Sequence, residues 1–491
     1  MPLSRALPDH AATQGDAPAL RLGDLALDRA GLHAAAGGVA GLVAGLPPRG
    51  GATPGWPLVA LIAGNHPQAA VWITAALAHP FCIALLDPAW PSTQIAAVLA
   101  RLRPDLVLVA DERAHDAATG HPTRDLRDPL PTPAPITSPP APDDSPFFIG
   151  FTSGSTGLPK AFLRQRGQWR ASLRAGHDHF GLTPATATLA PGPLAHGLTL
   201  YALAETLHAG AAFTGLTRFS PKAMARALTG QRRLVGVPTM MAAMIAVHRA
   251  TGATFPALTA ITCAGARLDG ALIAALAGPA PQARVTDYYG ASELGFVTTA
   301  THPLGRADPA LGCGRAFPGV DLAIRDGLVW VRSPLVLDGY LWGGDATGLR
   351  CDGDWRSVGD LGRLDAAGRL HLLGRADGMV VTGGRNIHPD AVAAGLRAAD
   401  PKLAEVEVLP RPDAYLGQVL VAVILADTPP DPALLMTAAA RHLPRHALPR
   451  AIWWAQALPR TSSGKTARAT LAEWLDRADS HLTQIWPDAD A

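Results

Sequence analysis

From Gly55 to Val109, short apolar runs (Pro57–Ala63, Phe81–Leu86, Leu106–Ala110) alternate with stretches whose apolar residues recur every three or four positions, Gln68–Ala78 and Ser92–Leu102. Wholly apolar strands between amphipathic helices predict mostly parallel sheets covered by helices. The alternation resumes with strands Phe147–Thr152, Ala187–Ala190, Leu234–Val237, Ala257–Ala264 and Arg284–Tyr288. Between them the spacing predicts helices over Gln168–Phe180, Leu200–Ala209, Thr239–Thr251 and Ala271–Ala277. Eight prolines between Pro129 and Pro146 predict a stiff surface connection between the two series.

After Gly312 the texture shifts to short strands and tight turns, including Gly362–Leu364 and Leu370–Leu373 around the hairpin loop Asp365–Gly368. This pattern predicts a small β-barrel or sheet. An α+β unit follows, with a helix from Pro389, strands Val406–Leu409, Val419–Leu425 and Ala451–Ala455, and helices Pro432–His442 and Thr466–Trp474. The expected fold is therefore α/β: a large N-terminal domain of parallel-type sheets flanked by helices plus a small β-barrel, residues 1–375. A small α+β C-terminal domain, 376–491, comes after it.

Composition narrows the class. A hydrophobic fraction of 48% argues against disorder, and a net charge of +2 supplies no field for nucleic acid. No apolar run approaches the ~18–20 residues of a membrane span, and Met1–Asp24 lacks the order of a secretion signal. Cys82, Cys263, Cys313 and Cys351 are dispersed, which predicts buried free thiols and no structural zinc. A soluble cytoplasmic protein, monomer or homodimer, is expected. Only four of the 42 basic Lys and Arg residues are lysines: Lys160, Lys222, Lys402 and Lys465.

Four local patterns carry chemistry. Phe151-Thr152-Ser153-Gly154-Ser155-Thr156-Gly157-Leu158-Pro159-Lys160 follows a strand. Its hydroxyls, glycines and one lysine suit a loop wrapped around phosphates. It is not a Walker loop, because Ala161 stands where a Mg²⁺-holding Ser or Thr would be. Asp287-Tyr288-Tyr289-Gly290-Ala291-Ser292-Glu293 closes another strand, where open sheets place ligands. Ser357-Val-Gly-Asp360 with Gly374-Arg375 offers a carboxylate for ribose hydroxyls, and Pro459-Arg-Thr-Ser-Ser-Gly-Lys465 sets a lysine on a turn. Taken singly, each also reads as an ordinary turn, rim aromatic or solvated lysine.

Their order and spacing, from Phe147 to Arg468, resemble the adenylate-forming superfamily: acyl- and aryl-CoA synthetases, peptide-synthetase adenylation domains and luciferases. The resemblance is nearest to acyl- and aryl-CoA ligases. It implies that ATP and a carboxylic acid give an acyl-adenylate and pyrophosphate, and that the acyl group then passes to a thiol. In this reading Thr152 to Lys160 grip the β- and γ-phosphates, Ser292 meets the α-phosphate and Glu293 binds Mg²⁺. Tyr289 covers adenine beside Tyr288 and Gly290, Asp287 accepts from its amino group, and Gly265-Ala266 lie along the ring. Asp360 and Arg375 hold the ribose. Lys465 bridges acyl carboxylate and α-phosphate, Asp377 is the hinge of a mobile lid, and Gly383-Gly384 flank the pantetheine channel.

The resemblance also bears on the substrate. Amino-acid-activating members carry an aspartate in the segment that here reads Pro191-Gly-Pro-Leu-Ala-His196-Gly-Leu, which has no acid. His196 matches a pocket residue with a gating or thioester-step role, or is structural. Val237, Thr239, Met240, Ala264, Leu294, Gly295 and Phe296 form the expected acyl pocket, apolar enough for an aliphatic or simple aromatic acid. Arg267 there is either a surface residue or a contact for a second carboxylate. Coenzyme A is the expected acceptor, the phosphopantetheine of an acyl carrier protein the alternative, and a non-catalytic nucleotide-binding regulator the remote one. Two departures stand out: Ala391 and Ala393 replace acidic residues usual after Asn386-Ile-His-Pro389, and Ala161–Arg166 lacks the usual Thr-His.

Overall fold

The computed structural model describes residues 2–139, 141–152, 158–266, 268, 270–303, 312–343, 348–378, 380–382, 385–413, 417–443, 447–461 and 464–487. The chain divides into two compact units. The first comprises Met1–Leu322, Val331–Val358 and Gly368–Leu370; the second comprises Ala323–Trp330, Gly359–Ala367 and everything from His371. The border drawn from sequence at 375/376 thus lies inside the second unit, which also holds Asp360 and Arg375.

Two sheets organise the first unit. One runs, in spatial order, Tyr340–Trp342, Lys160–Gln165, Pro146–Thr152, Cys82–Leu85, Leu58–Ile62, Leu106–Val109, Thr123–Asp125. Its interior pairs are parallel, and Lys160–Gln165 joins antiparallel to Pro146–Thr152. Every residue of strands 58–62, 82–85 and 106–109 is buried, the signature of a sheet covered on both faces. The other sheet places Ala260–Ala264 between Arg233–Gly236 and Arg284–Ala291, all parallel, with Gly295–His302 returning antiparallel. Helix Pro67–Ala78 is apolar all round, and its last ten residues are buried. It packs on helices Arg29–Ala44 and Gly197–His208 and on strands 82–85 and 146–152. A helix without a polar face belongs in an interior.

The N-terminal helix Ala6–Thr13, strands Pro18–Leu22 and Leu25–Asp28, and helix Arg29–Ala44 were not anticipated from the sequence pattern. Gly37 and Gly38 in the middle of the last helix look like breakers. The proline-rich strap explains them: a Cβ on Gly37 would stand 1.8 Å from the Ala134 carbonyl oxygen, and on Gly38 2.4 Å from that of Thr132. Close packing of strap on helix stabilises what propensity opposes.

Two further expectations need correcting. Among the described residues the short strands after Gly312 form an open path rather than a closed barrel. Cys82 and Cys263 are buried free thiols, but Cys351 is exposed and Cys313 half-buried. The hairpin at Asp365–Gly368 is present: Asp365 Oδ1 accepts from Ala367 N at 2.9 Å, and Gly368 takes φ 72°.

Arg166, at the end of the stretch that lacks the Thr-His, is fully buried. Its guanidinium donates to the Ala76 oxygen at 3.1 Å and the Phe81 oxygen at 2.6 Å and lies against the Phe147 ring. His79 shares this region, its Nδ1 2.8 Å from Ser138 Oγ. Burial, reinforced by His33 and Arg166, pushes the His79 imidazole down to about 4. A depressed histidine contributes stability fully present above about pH 6.5 and lost as pH falls toward 4. At pH 5 the loss is about 2 kcal/mol. In chemical denaturation, His79→Asn should therefore shrink the stability difference between pH 7.5 and pH 5 by about that amount. An unchanged difference would remove His79 as its source.

The second unit is a sheet with antiparallel Glu405–Asp413 and Gly417–Leu425 and parallel Ala451–Ala455, packed by helices Pro389–Ala399, Pro432–Ala439 and Arg468–Arg477. Its helix from Pro389 and strand Ala451–Ala455 match the sequence expectation.

Candidate active site

The site residues of the first unit gather at the ends of strands, where backbone groups are free to face a ligand. Thr152 ends strand 146–152 and pairs with Lys160, the first residue of the returning strand. Ser153, Gly154, Ser155, Thr156 and Gly157, between them, lie outside the described residues, as do Arg267, Gly383 and Gly384. Lys160 Nζ stands 5.8 Å from the centre of the Tyr340 ring. Gly343 approaches closely: a Cβ there would lie 3.1 Å from Lys160 Cα, a tight contact, and its φ of 76° favours glycine.

Tyr340 connects this lysine to the second motif. Its hydroxyl donates to Glu293 Oε1 at 2.5 Å, and Glu293 is only 9% exposed. Glu293 and Ser292 sit in the turn between strands Arg284–Ala291 and Gly295–His302. The turn is tight: a Cβ on Gly290 would meet the Gly295 oxygen at 2.4 Å, and Gly295 takes φ 72°. Arg164 holds the turn from below, donating to the Ser292 oxygen at 2.6 Å and to the Leu335 oxygen. Burial lowers the Arg164 guanidinium to about 10, while Glu293 and Asp338 oppose that fall.

Asp287 Oδ1 accepts from His302 Nε2 at 2.9 Å. Tyr289 is half-buried next to it. Tyr288 turns the other way: its ring meets Phe296 edge-on at 4.8 Å, and burial raises its hydroxyl well above the ordinary range. Phe296 stacks on Phe317 at 4.2 Å, and Leu294 is fully buried. Both rings pack on Phe180, which lies against the guanidinium of Arg233, itself 2.7 Å from Glu205 in a buried pair. Gly265, at φ 86°, and exposed Ala266 follow strand Ala260–Ala264. Val237 caps helix Pro238–Thr251, whose first turn carries Thr239 and the buried Met240.

His196 precedes helix Gly197–His208 in a loop fixed by Asn65. That side chain donates to the oxygens of Gly192 and Leu216 at 2.9 and 2.7 Å and accepts from Leu194 N at 2.7 Å. Asp87 Oδ2 lies 3.7 Å from His196 Nε2. In the second unit Arg375 Nη1 is 3.6 Å from Asp360 Oδ1, Asp377 occupies the short turn Ala376–Gly378, and Lys465 is exposed on a turn closed by its own backbone.

Arg164, Tyr340, Asn65 and Asp87 were not singled out from the sequence. A usable signal existed for Arg164: it is two residues from Phe162 and four from Lys160, so all three share one face of a strand. An arginine on the face of a core phenylalanine is set to be buried.

The donor set suits a magnesium nucleotide. Mg²⁺ is ordinarily held by one or two carboxylates together with substrate phosphates. Glu293 supplies one carboxylate braced at a single oxygen, and no group of three or more metal-type side chains occurs among the described residues.

The AMP-binding enzyme family profile matches residues 7–341, and the profile of the AMP-binding enzyme C-terminal domain matches residues 397–465. The chain therefore belongs to the AMP-binding enzyme family and is an AMP-forming acid–thiol ligase of the acyl-CoA synthetase type. An uncharacterized acyl–CoA ligase of Bacillus subtilis, YhfT, is 33% identical over 365 residues, spanning 72% of this chain and 71% of its own. The fold matches ATP-bound MatB from Rhodopseudomonas palustris with a TM-score of 0.83 at 22% identity, over 97% of this chain and 100% of that one. It also matches AMP-bound O-succinylbenzoate coenzyme A synthetase, MenE, from Bacillus subtilis, at 0.79 and 21% over 95% and 97%.

Proposed function

We propose that the chain joins an aliphatic or simple aromatic carboxylic acid to AMP and passes the acyl group to the thiol of coenzyme A. The observation that carries this reading is the chain of contacts from Lys160 through Tyr340 to Glu293, with Arg164 bracing the same turn.

The first step forms a bond from the acid's carboxylate oxygen to the α-phosphorus and breaks the bond to pyrophosphate, which leaves with the electron pair. The obstacle is charge: an anion approaches a polyanion, so preorganised cations and donors must face the phosphates. In this reading Lys160 and the hydroxyls from Thr152 to Thr156 hold the β- and γ-phosphates, and Ser292 faces the α-phosphate. Glu293 would hold Mg²⁺, which supplies charge neutralisation when bound. Tyr289, Gly265, Ala266 and Asp287 receive the adenine, Asp360 and Arg375 the ribose. Lys465 meets the acyl carboxylate and α-phosphate together; a compact ammonium does this better than a planar guanidinium.

In the second step the thiol sulfur bonds to the acyl carbon, the bond from that carbon to the anhydride oxygen breaks and AMP departs with the electron pair. His196 is suited to take the thiol proton. In this reading Gly383 and Gly384 would flank the pantetheine arm, and Asp377 would serve as the hinge.

Pyrophosphate exchange across a panel of carboxylic acids, followed by addition of coenzyme A or a holo-carrier protein, tests the whole reading. Exchange with an apolar acid and thioester on coenzyme A are expected. Thioester on the carrier alone would reassign the acceptor, and no exchange with any acid would sink the adenylation step.

A further inference from the structure

Lys465 is exposed, and the described residues of the turn that bears it are tied to one another by backbone hydrogen bonds. Gly464 N donates to the Thr461 oxygen at 2.9 Å, Thr461 N to the Lys465 oxygen at 2.8 Å, and Ala467 N to the Pro459 oxygen at 2.8 Å. Gly464 takes φ 81°, a conformation that favours glycine. Each stem of the turn carries an arginine, and both arginines reach carboxylates of the unit's sheet and first helix. Arg460 forks onto Glu405, Nη1 to Oε2 at 2.9 Å and Nη2 to Oε1 at 2.5 Å. Arg468 donates from Nε to Glu407 Oε2 at 2.8 Å and from Nη2 to Asp390 Oδ1 at 2.8 Å.

Glu405 and Glu407 are two residues apart on strand Glu405–Asp413, so they point to the same face about 7 Å apart. Asp390 lies in the first turn of helix Pro389–Ala399. It and Glu407 supply negative charge to Arg468 although Ala391 and Ala393 carry none. We infer that Glu405, Glu407 and Asp390, acting through Arg460 and Arg468, are positioning residues that fix where Lys465 is presented for adenylation. This inference rests on the proposed role of Lys465.

The energetics favour positioning over stability. Half-exposed pairs contribute about 0–1 kcal/mol each to folding, too little to explain four arginine–carboxylate hydrogen bonds around one turn. A forked guanidinium does define direction, because its two N–H groups must align with two oxygens. Misplacement of a catalytic group by an ångström can cost about a hundredfold.

The test splits the reaction. In the full-length chain, Asp390→Asn with Glu407→Gln, and separately Glu405→Gln, are measured for pyrophosphate exchange and for thioester formation from supplied acyl-adenylate. Exchange should fall about ten- to a hundredfold, and thioester formation should change less than about twofold. Combined with Lys465→Ala, the carboxylate substitutions should add no further loss, because they act through that lysine. Equal loss in both half-reactions, or undiminished exchange, would overturn the inference. If the double substitution unfolds the second unit, Glu407→Gln alone, which keeps Asp390 on Arg468, is read by the same split. Exchange absent from the unmodified chain with every acid would instead overturn the adenylation reading itself.

Discussion

Replacing Lys465 by alanine is expected to lower acyl-adenylate formation by about 10²–10³-fold while thioester formation from a supplied acyl-adenylate stays within about threefold of the unmodified rate. The size follows from removing one preorganised donor facing charge that develops in a transition state. The second unit has one other lysine, Lys402, whose backbone N–H is held by Asp400 on the turn before strand Glu405–Asp413. It stands on a different segment from the Lys465 turn and offers no substitute. Arginines are plentiful, but those flanking Lys465 are committed to carboxylates. Pyrophosphate exchange and single-turnover transfer to coenzyme A provide the two readings. A matched loss in both would mean the lysine serves general structure rather than the first step.

The second large effect concerns Arg164. Arg164→Met should destabilise the first unit by about 1–3 kcal/mol, because the buried Leu335 oxygen loses its donor while the part-buried Ser292 oxygen can turn to water. Adenylation should fall at least about tenfold and require more Mg²⁺ for half-maximal rate, because the Ser292–Glu293 turn loses its brace. Arg164→Lys should fall between the two: a single ammonium cannot serve both carbonyls in one geometry. Denaturation curves and exchange rates titrated with Mg²⁺ report the two parts separately. If Arg164→Met is less stable yet keeps the Mg²⁺ requirement, the bracing account fails while the packing account stands.

Much of the architecture was legible because local signals agreed with one another. Helix Ser92–Leu102 begins and ends where the apolar spacing put it, and strands 58–62, 82–85 and 106–109 sit inside their continuous apolar runs. Helix Arg29–Ala44, which runs through Gly37 and Gly38, was not legible, because what permits it is the strap a hundred residues later in the chain. The same holds for the border between units, since strand Leu328–Arg332 is divided between them. No composition shift marks such a cut.

Within the candidate site, Thr152, Lys160 and Glu293 could be nominated from unusual chemistry in a short span. Residues acting through backbone contacts stayed hidden. Asn65 makes three bonds to segments more than 120 residues away, and nothing local distinguishes it from a turn asparagine. Tyr340 and Asp87 are equally ordinary in sequence. Tyr288 shows the converse: adjacent to Tyr289 in a motif, it faces the interior because successive strand residues alternate faces.

The six-residue strand Lys160–Gln165 has a bearing on how this chain can be recombined with relatives. It carries Lys160, the lysine proposed to face the phosphates, at one end and Arg164 near the other, with Phe162 between them on the same face. A one-residue insertion or deletion between those positions would send one of the two to the opposite side of the sheet. Crossover points for hybrid enzymes therefore belong outside the hairpin of residues 146–166. Inside it, parents must be aligned in phase even where their sequences look interchangeable.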